Sequence, residues 1–351
     1  MSIATDKPYR HPRRGLIGPF LLVGIILAAW TGWWFYLVQQ IETRLEAQVV
    51  ALREDGWTIQ HALVSTTCWP FWARVSIPHA SILAPSGHGV AAPEFIAEAN
   101  AWNPDHWVIL APEGLTLTRA GKGKVGVRGD AVRMSISDLR ARFPDLRLEL
   151  VRAVFTPHPG AAPFPIASAE RIQLETRPHL TNGEARTDEM DVLFNLVEAR
   201  GRRGGPVEGA TRDGELSLAL EGVVAQASAL KGPNAAGVFT NWTRAGGRFT
   251  GVRGEVSAGD SRALLTSDLL SVDGDGRLVG RVSLTAERPG PVVSGMAQAP
   301  SGAVNRSGAI SAAAATAGAV NGDRPVELSL EFRDGRTWLG LFPLAPAPKL
   351  F

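Results

Sequence analysis

The first strongly apolar stretch of the chain covers residues 16–38 and contains no charged side chain. At a rise of 1.5 Å per residue, a helix of this length reaches about 34 Å, which exceeds the roughly 30 Å of a bilayer's hydrocarbon core. Its apolar residues occupy every side, whereas a helix in a soluble core keeps a polar stripe. We therefore predict a transmembrane anchor over residues 16–38.

The flanks of this stretch predict its orientation. Four basic side chains lie in residues 1–15, whereas the charges after residue 41 are of mixed sign. Cationic flanks remain cytoplasmic, so residues 1–15 are predicted to be a cytoplasmic tail and the bulk of the chain to be translocated. Bulky residues at 33–36 replace the small residues of a signal-peptide cleavage site, which predicts an uncleaved signal-anchor. The aromatic residues predicted to lie at the outer membrane interface are Trp30, Trp33, Trp34 and Tyr36.

Beyond the anchor, the hydrophobic period changes twice. Residues 39–56 keep apolar side chains at helical spacing, which predicts a stalk helix that ends at Gly56 and seats the first strand. After Trp57 the apolar residues alternate with polar ones in short runs, as in half-buried strands. The pattern predicts a mainly β fold of long antiparallel strands, curved into a groove or packed as a sandwich.

Breaks in this alternation predict the domain organisation. Asp-Gly pairs at residues 273–276 and 334–335 separate alternating runs, a strong hairpin signal. A Gly- and Arg-rich segment at residues 199–214 is predicted to be a loop between two β-rich lobes, 57–198 and 215–351. The second lobe contains an Ala/Gly-rich insertion at residues 297–320, within which residues 310–317 are a candidate short helix.

Composition excludes several function classes. The 351 residues carry 36 basic and 34 acidic side chains, a net charge of +2, and no extended basic face, which argues against nucleic acid as a partner. Cys68 is the single cysteine, so an internal disulfide and a thiolate zinc cluster are both excluded. Its apolar and aromatic neighbours favour an inert thiol over a nucleophile.

The sequence lacks the recognised motifs of several catalytic, nucleotide-binding and metal-binding sites. It has no G-x-S-x-G elbow, no H-E-x-x-H pair and no Walker loop, and the Asp-Gly repeat at residues 273–276 lacks the later ligands of a calcium loop. His79, His88 and His106 have no ligand spacing, and whether they meet in space stays open at this point. We predict no catalytic residue, no cofactor and no metal site, and thus a protein that is not an enzyme.

Two short motifs resemble a known family. After the anchor comes an aromatic-Pro-Phe motif, with Cys68 where the family tends to have glycine, and the sequence closes on a motif within residues 335–348. Together they resemble the bacterial envelope family catalogued as domain of unknown function 2125. The positions that match the family's motifs are Trp69, Pro70, Phe71, Gly340, Pro343 and Pro346. The resemblance implies a β-rich periplasmic protein anchored in the inner membrane, with an architecture similar to AsmA-like envelope proteins.

Three functions remain open at this stage. The first is a non-enzymatic envelope protein whose sheet binds or transfers lipid along an apolar face. The second is an anchored scaffold that recruits an envelope protein by strand addition at a free sheet edge. The third is an envelope hydrolase whose residues converge from distant strands. The missing catalytic motifs favour the first two.

Overall fold

The protein is mainly β, as predicted. A computed structural model describes residues 14–67, 72–212, 214–230, 238–298, 305–319 and 325–350. Within these ranges, eighteen strands belong to one sheet whose strand pairs are all antiparallel, and five α-helices accompany it.

The bounds of these elements follow the alternating and helical periods of the sequence. The helices are α1 Arg14–Glu54, α2 Pro206–Thr211, α3 Val238–Arg244, α4 Pro289–Gln298 and α5 Arg306–Ala319. The first nine strands are β1 Thr58–Gln60, β2 Ser65–Thr67, β3 Trp72–Leu83, β4 Gly89–Asn100, β5 Asn103–Leu110, β6 Leu115–Arg119, β7 Gly123–Arg128, β8 Ala131–Ser137 and β9 Asp145–Pro157. The other nine are β10 Ile166–Thr181, β11 Glu184–Gly201, β12 Leu216–Ala225, β13 Arg248–Ala258, β14 Ser261–Val272, β15 Leu278–Glu287, β16 Val326–Arg333, β17 Arg336–Leu339 and β18 Phe342–Pro346.

Helix α1 joins the predicted anchor, 16–38, and the predicted stalk, 39–56, in one uninterrupted helix. Its part from Gly18 onward is long and apolar enough to cross a membrane. Residues 18–29 are exposed all round, whereas from Trp30 onward one face is covered at helical spacing. Gly56, at φ 88°, follows the helix end in the left-handed conformation that glycine tolerates best.

The covered face of α1 lies along the outer edge of the sheet. Trp34 Nε1 donates to the carbonyl of Trp72, 3.1 Å away, at the start of β3. Nineteen residues after Trp34, the guanidinium of Arg53 donates to the carbonyl of Ile59, 2.8 Å away in β1. The predicted stalk therefore lies along the edge of the sheet and covers it. It does not act as a spacer between the sheet and the apolar part of α1.

The strands follow one another across the sheet almost in chain order. β1 and β2 pair with different parts of β3, and β3 pairs with β4. The two halves of β4 then pair with β5 and β6, which lead through β8 and β7 to β9. From β9 to β18 each strand pairs with the next.

The sheet is too wide to be flat. Its strands fill about fifteen positions, which at roughly 4.8 Å per position would span about 67 Å. Open sheets of more than about ten strands curl or split. At the C-terminal end, Val256 of β13 and Leu344 of β18 line one cavity although five strand positions separate them, which favours a sheet that bends towards itself.

The predicted boundary between two lobes lies within this continuous sheet. Strand β11 runs through residue 198 to Gly201, and it pairs with β12 beyond the segment 199–214. That segment is not a plain loop, because it also contains helix α2, which begins with Pro206 at a favourable first position. Gly201 lets α2 approach, since a Cβ there would overlap the backbone of Glu208.

The Ala/Gly-rich insertion at residues 297–320 contains the end of α4 and the whole of α5. The candidate helix at residues 310–317 is confirmed, and it starts earlier, at Arg306. Ala309 and Ala312 are fully buried against Leu339 and Leu344 of the last hairpin. Small residues therefore serve close helix packing here, a purpose that composition alone did not reveal.

Candidate functional site

One face of the sheet carries an uninterrupted line of apolar residues. The line crosses twelve strands, because the cross-strand partner of each apolar residue is again apolar or glycine. We call this line the apolar row; its members, in order, are Val75, Ala97, Ile109, Met134, Leu148, Leu174, Phe194, Leu220, Gly254, Leu265, Leu284 and Leu328. At about 4.8 Å per strand, the row would extend over roughly 53 Å.

The opposite face of the same strands is mostly polar. Shifting each member of the apolar row by one residue gives a second line of cross-strand partners, which we call the polar row: Arg74, Glu98, Val108, Ser135, Arg147, Glu175, Leu193, Glu221, Arg253, Thr266, Ser283 and Ser329. Neighbours in it form ion pairs, with nitrogen–oxygen distances of 3.3 Å for Arg74–Glu98 and 2.7 Å for Arg147–Glu175. The polar row is a solvated outer face.

The apolar row is not sealed in a dry core. Val75 is buried, at 2 % exposure, whereas the other eleven members keep intermediate exposure. On nine of these strands, a parallel line displaced by two residues is also apolar; its members are Val132, Leu150, Ile172, Leu196, Leu218, Val256, Ala263, Ala286 and Val326. Four members of this second line, Val132, Leu150, Leu196 and Ala286, are buried, so the apolar row is the more exposed part of the strip that the two lines form.

Gly254 shows how closely the strip is packed along its length. A Cβ at this position would lie 2.6 Å from Leu220 Cδ2 and 3.3 Å from Leu265 Cδ1. The two leucines, which belong to the neighbouring strands, therefore approach each other over the glycine. The carbonyl oxygen of Ala219 approaches the same point even more closely, so the missing side chain also makes room for neighbouring backbone.

The C-terminal end of the apolar row opens into a cavity of about 220 Å³. Leu284 and Leu328 of the row line it, together with Pro289 and Val292 of helix α4. A cavity of 150 Å³ with an aliphatic and aromatic lining can bind benzene, so the present one has room for part of a hydrocarbon chain. Helix α4 closes this end of the strip.

The last hairpin, formed by β17 and β18, lies at the same end of the apolar row. Leu339 and Leu344 line the same cavity, and Asn305, just before α5, donates its backbone N–H to the carbonyl of Leu344 at 2.7 Å. Gly340, at φ 59°, makes the turn between β17 and β18. Pro343 and Pro346 lie within β18, opposite Trp338 and Arg336. The hairpin that contains these motif positions therefore packs against α5, which in turn packs against α4.

A second recess, of about 260 Å³, lies on the polar side of strands β10–β13. Its acids are paired: Asp191 accepts from His179 Nδ1 at 2.6 Å and lies 3.3 Å from Arg177 Nε, while Glu221 is 3.8 Å from Arg253. No serine, threonine or cysteine lines this recess. The arrangement matches a structural ion-pair network on a solvated face.

The three histidines of interest do not form a metal site. Among the described residues, no group of three or more His, Cys, Asp or Glu side chains is placed to hold a metal ion. His79 lies in β3 at φ 51°, His88 follows the β3–β4 turn, and His106 lies in β5. The Asp-Gly repeat forms a turn in which Asp273 Oδ1 accepts the backbone N–H groups of Asp275 and Arg277.

The four aromatic residues at the end of the apolar helix segment divide between two environments. Trp34 is 6 % exposed and contacts the start of β3. Trp33 and Tyr36 are 47 % and 55 % exposed, with ring centroids 5.8 Å apart, and Trp30 is partly covered. The motif positions Trp69, Pro70 and Phe71, like Cys68, lie outside the described residues, between β2 and β3.

The motif positions described above belong to a defined family. The profile of DUF2125, a family described as an uncharacterized protein conserved in bacteria, matches residues 34–348. The chain belongs to this family. The DUF2125 match begins at the buried Trp34 and includes the whole sheet, so the contact of Trp34 with Trp72 and the apolar row are both part of the family's domain. No curated protein and no solved structure matches the chain.

The apolar row is the feature that sequence reasoning missed. Alternation within each strand was visible, as in residues 216–220, where three leucines alternate with Ser217 and Ala219. The sequence does not state which residues of neighbouring strands face each other, and a shift of one residue in the pairing of a strand would move all its apolar side chains to the other face.

Proposed function

We propose that this chain is a non-enzymatic envelope protein, anchored by α1 in the inner membrane with its sheet in the periplasm, that binds lipid acyl chains along the apolar row. The single observation that carries the proposal is the continuity of the row across twelve strands while eleven of its members stay partly exposed. A partly exposed apolar row of this length is unfavourable in water unless a hydrophobic ligand covers it.

The chemistry of the ligand follows from the lining. The apolar row and its parallel line offer no charged side chain, so they suit hydrocarbon and leave a polar headgroup at the edge. The cavity beneath α4 suits the same chemistry, because its exposed lining is almost entirely apolar. The ion pairs that could attract a charged ligand lie on the opposite face.

A scaffold that recruits a partner by strand addition finds little support at the edges of the sheet. The edge at β1 and β2 is flanked by α1, which bonds to Trp72 and Ile59. In the described part of the chain, β18 pairs with β17 alone, but β18 has only five residues and contains two prolines. Short edge strands with proline resist further pairing.

Adjacent leucines in β14 provide a matched experiment. Leu265 belongs to the apolar row, whereas Leu264 lies on the opposite face with 57 % exposure. A photoreactive benzophenone residue is placed at either position in the full-length protein, and cells are irradiated before purification. We expect phospholipid adducts at position 265 and not at 264, as identified by mass spectrometry.

Two outcomes would overturn the proposal. The first is protein adducts, or none, at position 265 in a folded protein; the second is equal lipid labelling at both positions, which would mean membrane proximity without a binding face.

A charged side chain introduced into the apolar row provides a second test. Leu220→Glu should remove co-purified lipid, while Ala219→Glu, one residue away on the exposed face, should leave the amount unchanged.

A further inference from the structure

The end of the sheet nearest to the membrane segment of α1 carries exposed aromatic and basic side chains. Trp72, which starts β3, is 50 % exposed, and Trp102, in the turn between β4 and β5, is 60 % exposed. Leu139, in the connection between β8 and β9, is 44 % exposed. We call these three residues, together with Arg140 and Arg142, the rim.

Strand register brings the rim residues to one end of the sheet. Trp72 pairs with Asn100, the last residue of β4, and Trp102 lies in the turn that directly follows. Arg140 Nε is 3.5 Å from the carboxylate of Asp105, three residues beyond Trp102. The rim is therefore continuous from the first edge of the sheet to the connection between β8 and β9.

The length of α1 predicts where the rim lies along the membrane normal. Trp34 lies twenty residues after Arg14, the last basic residue before the apolar stretch, which corresponds to about 30 Å of helix and thus to one hydrocarbon core. Because Trp34 Nε1 donates to the carbonyl of Trp72, the start of β3 is held at the same level. Glu42, about 12 Å further along the helix, is bonded to Thr66 of β2.

We propose that the rim sits in the headgroup layer of the membrane that α1 crosses, so that the sheet rests on the bilayer and is not suspended above it. Tryptophan favours this layer because its ring is apolar and its N–H is polar. Arg140 and Arg142 suit the phosphate groups of the same layer, and the side chain of Arg140 is 86 % exposed. Val75, the first member of the apolar row, then lies about 10 Å along β3 from the headgroups.

The inference rests on the proposal that α1 crosses the membrane. Its test distinguishes failure of the membrane crossing from failure of the rim placement. Cys68→Ser removes the native thiol, and single cysteines carrying an environment-sensitive fluorophore are introduced in the full chain in lipid nanodiscs. The positions are Asn103 and Ala141, which leave the rim residues intact, Ser86 as an aqueous control and Ile26 as a membrane control. Ser86 follows the far end of β3, more than about 35 Å along the strand from Trp72.

Spin-labelled lipids then report the depth of each label. We expect headgroup-labelled lipid to quench positions 103 and 141, a lipid with a mid-chain spin label to quench position 26, and neither to quench position 86. Quenching at 26 without any at 103 and 141 would overturn the rim while leaving the anchor in place. No quenching at 26 would overturn the anchor and the rim together. Trp102→Ser should reduce headgroup quenching at 103, and an unchanged value would remove Trp102 from the rim.

Discussion

Trp242 is the most informative residue for a test of the described packing. It lies in α3 with 0 % exposure, and its Nε1 donates to the carbonyl of Ala225, 2.8 Å away at the end of β12. Its ring centroid is 5.0 Å from that of Phe249 in β13 and 6.5 Å from that of Phe239. The side chain of Trp242 therefore connects helix α3 to strands β12 and β13.

The packing of Trp242 indicates how much its removal should lower the free energy of unfolding. Trp242→Ala deletes a buried aromatic ring and leaves a void, which typically costs about 3–5 kcal/mol. Trp242→Phe keeps most of the ring but loses the hydrogen bond, which is worth about 1 kcal/mol, and part of the packing, so we expect a loss of about 1–2 kcal/mol. Leu341→Ala is the matched surface control, since Leu341 is 82 % exposed and its removal should change stability by less than about 0.5 kcal/mol.

Hydrogen exchange of the full chain in lipid nanodiscs measures these losses locally. For Trp242→Ala we expect amides of α3 and of the neighbouring ends of β12 and β13 to exchange roughly 10²- to 10⁴-fold faster, since 1.4 kcal/mol corresponds to a factor of ten. Amides of β3 and β4, at the other end of the chain, should not change. A loss below about 1 kcal/mol for the alanine variant, or an equal loss for alanine and phenylalanine, would refute the buried, hydrogen-bonded placement of Trp242.

Three further substitutions test other parts of the fold. Gly247→Ala would push a Cβ into the ring of Trp242, so we expect a loss of about 1–3 kcal/mol in the same exchange assay; a neutral result would contradict that close approach. Glu149 is 9 % exposed between two half-exposed arginines, and Glu149→Gln should cost about 1 kcal/mol in urea unfolding, less at high salt; a cost that does not depend on salt would argue against the ion pairs. Arg53→Met removes the bond to the carbonyl of Ile59 and should speed exchange in β1 by roughly fivefold, with no change in β16 as the control.

The periodicity of the sequence was sufficient for the classes of element. The unbroken apolar stretch at 16–38 and the helical spacing of 39–56 both lie in α1, since no helix-ending signal occurs between them before Gly56. The Asp-Gly pairs at 273–276 and 334–335 are the predicted hairpin turns, because such dipeptides adopt the backbone angles that a tight reversal needs. The segment at 199–214 was misread because its glycines and arginines concealed a short helix that is stabilised by contact with β11 and α4.

By itself, the sequence determined the apolar helix, the alternation of each strand, the absence of recognisable catalytic motifs and the family motifs, since each of these is a local property of a few consecutive residues. The tertiary structure alone decided the register that lines up eleven apolar residues and one glycine from Val75 to Leu328, and the contact of Trp34 with Trp72 that ties the sheet to α1. Both depend on pairings between distant residues. The free energy of such pairings comes from the burial and hydrogen bonds of many strands at once, and no single segment of the chain encodes it.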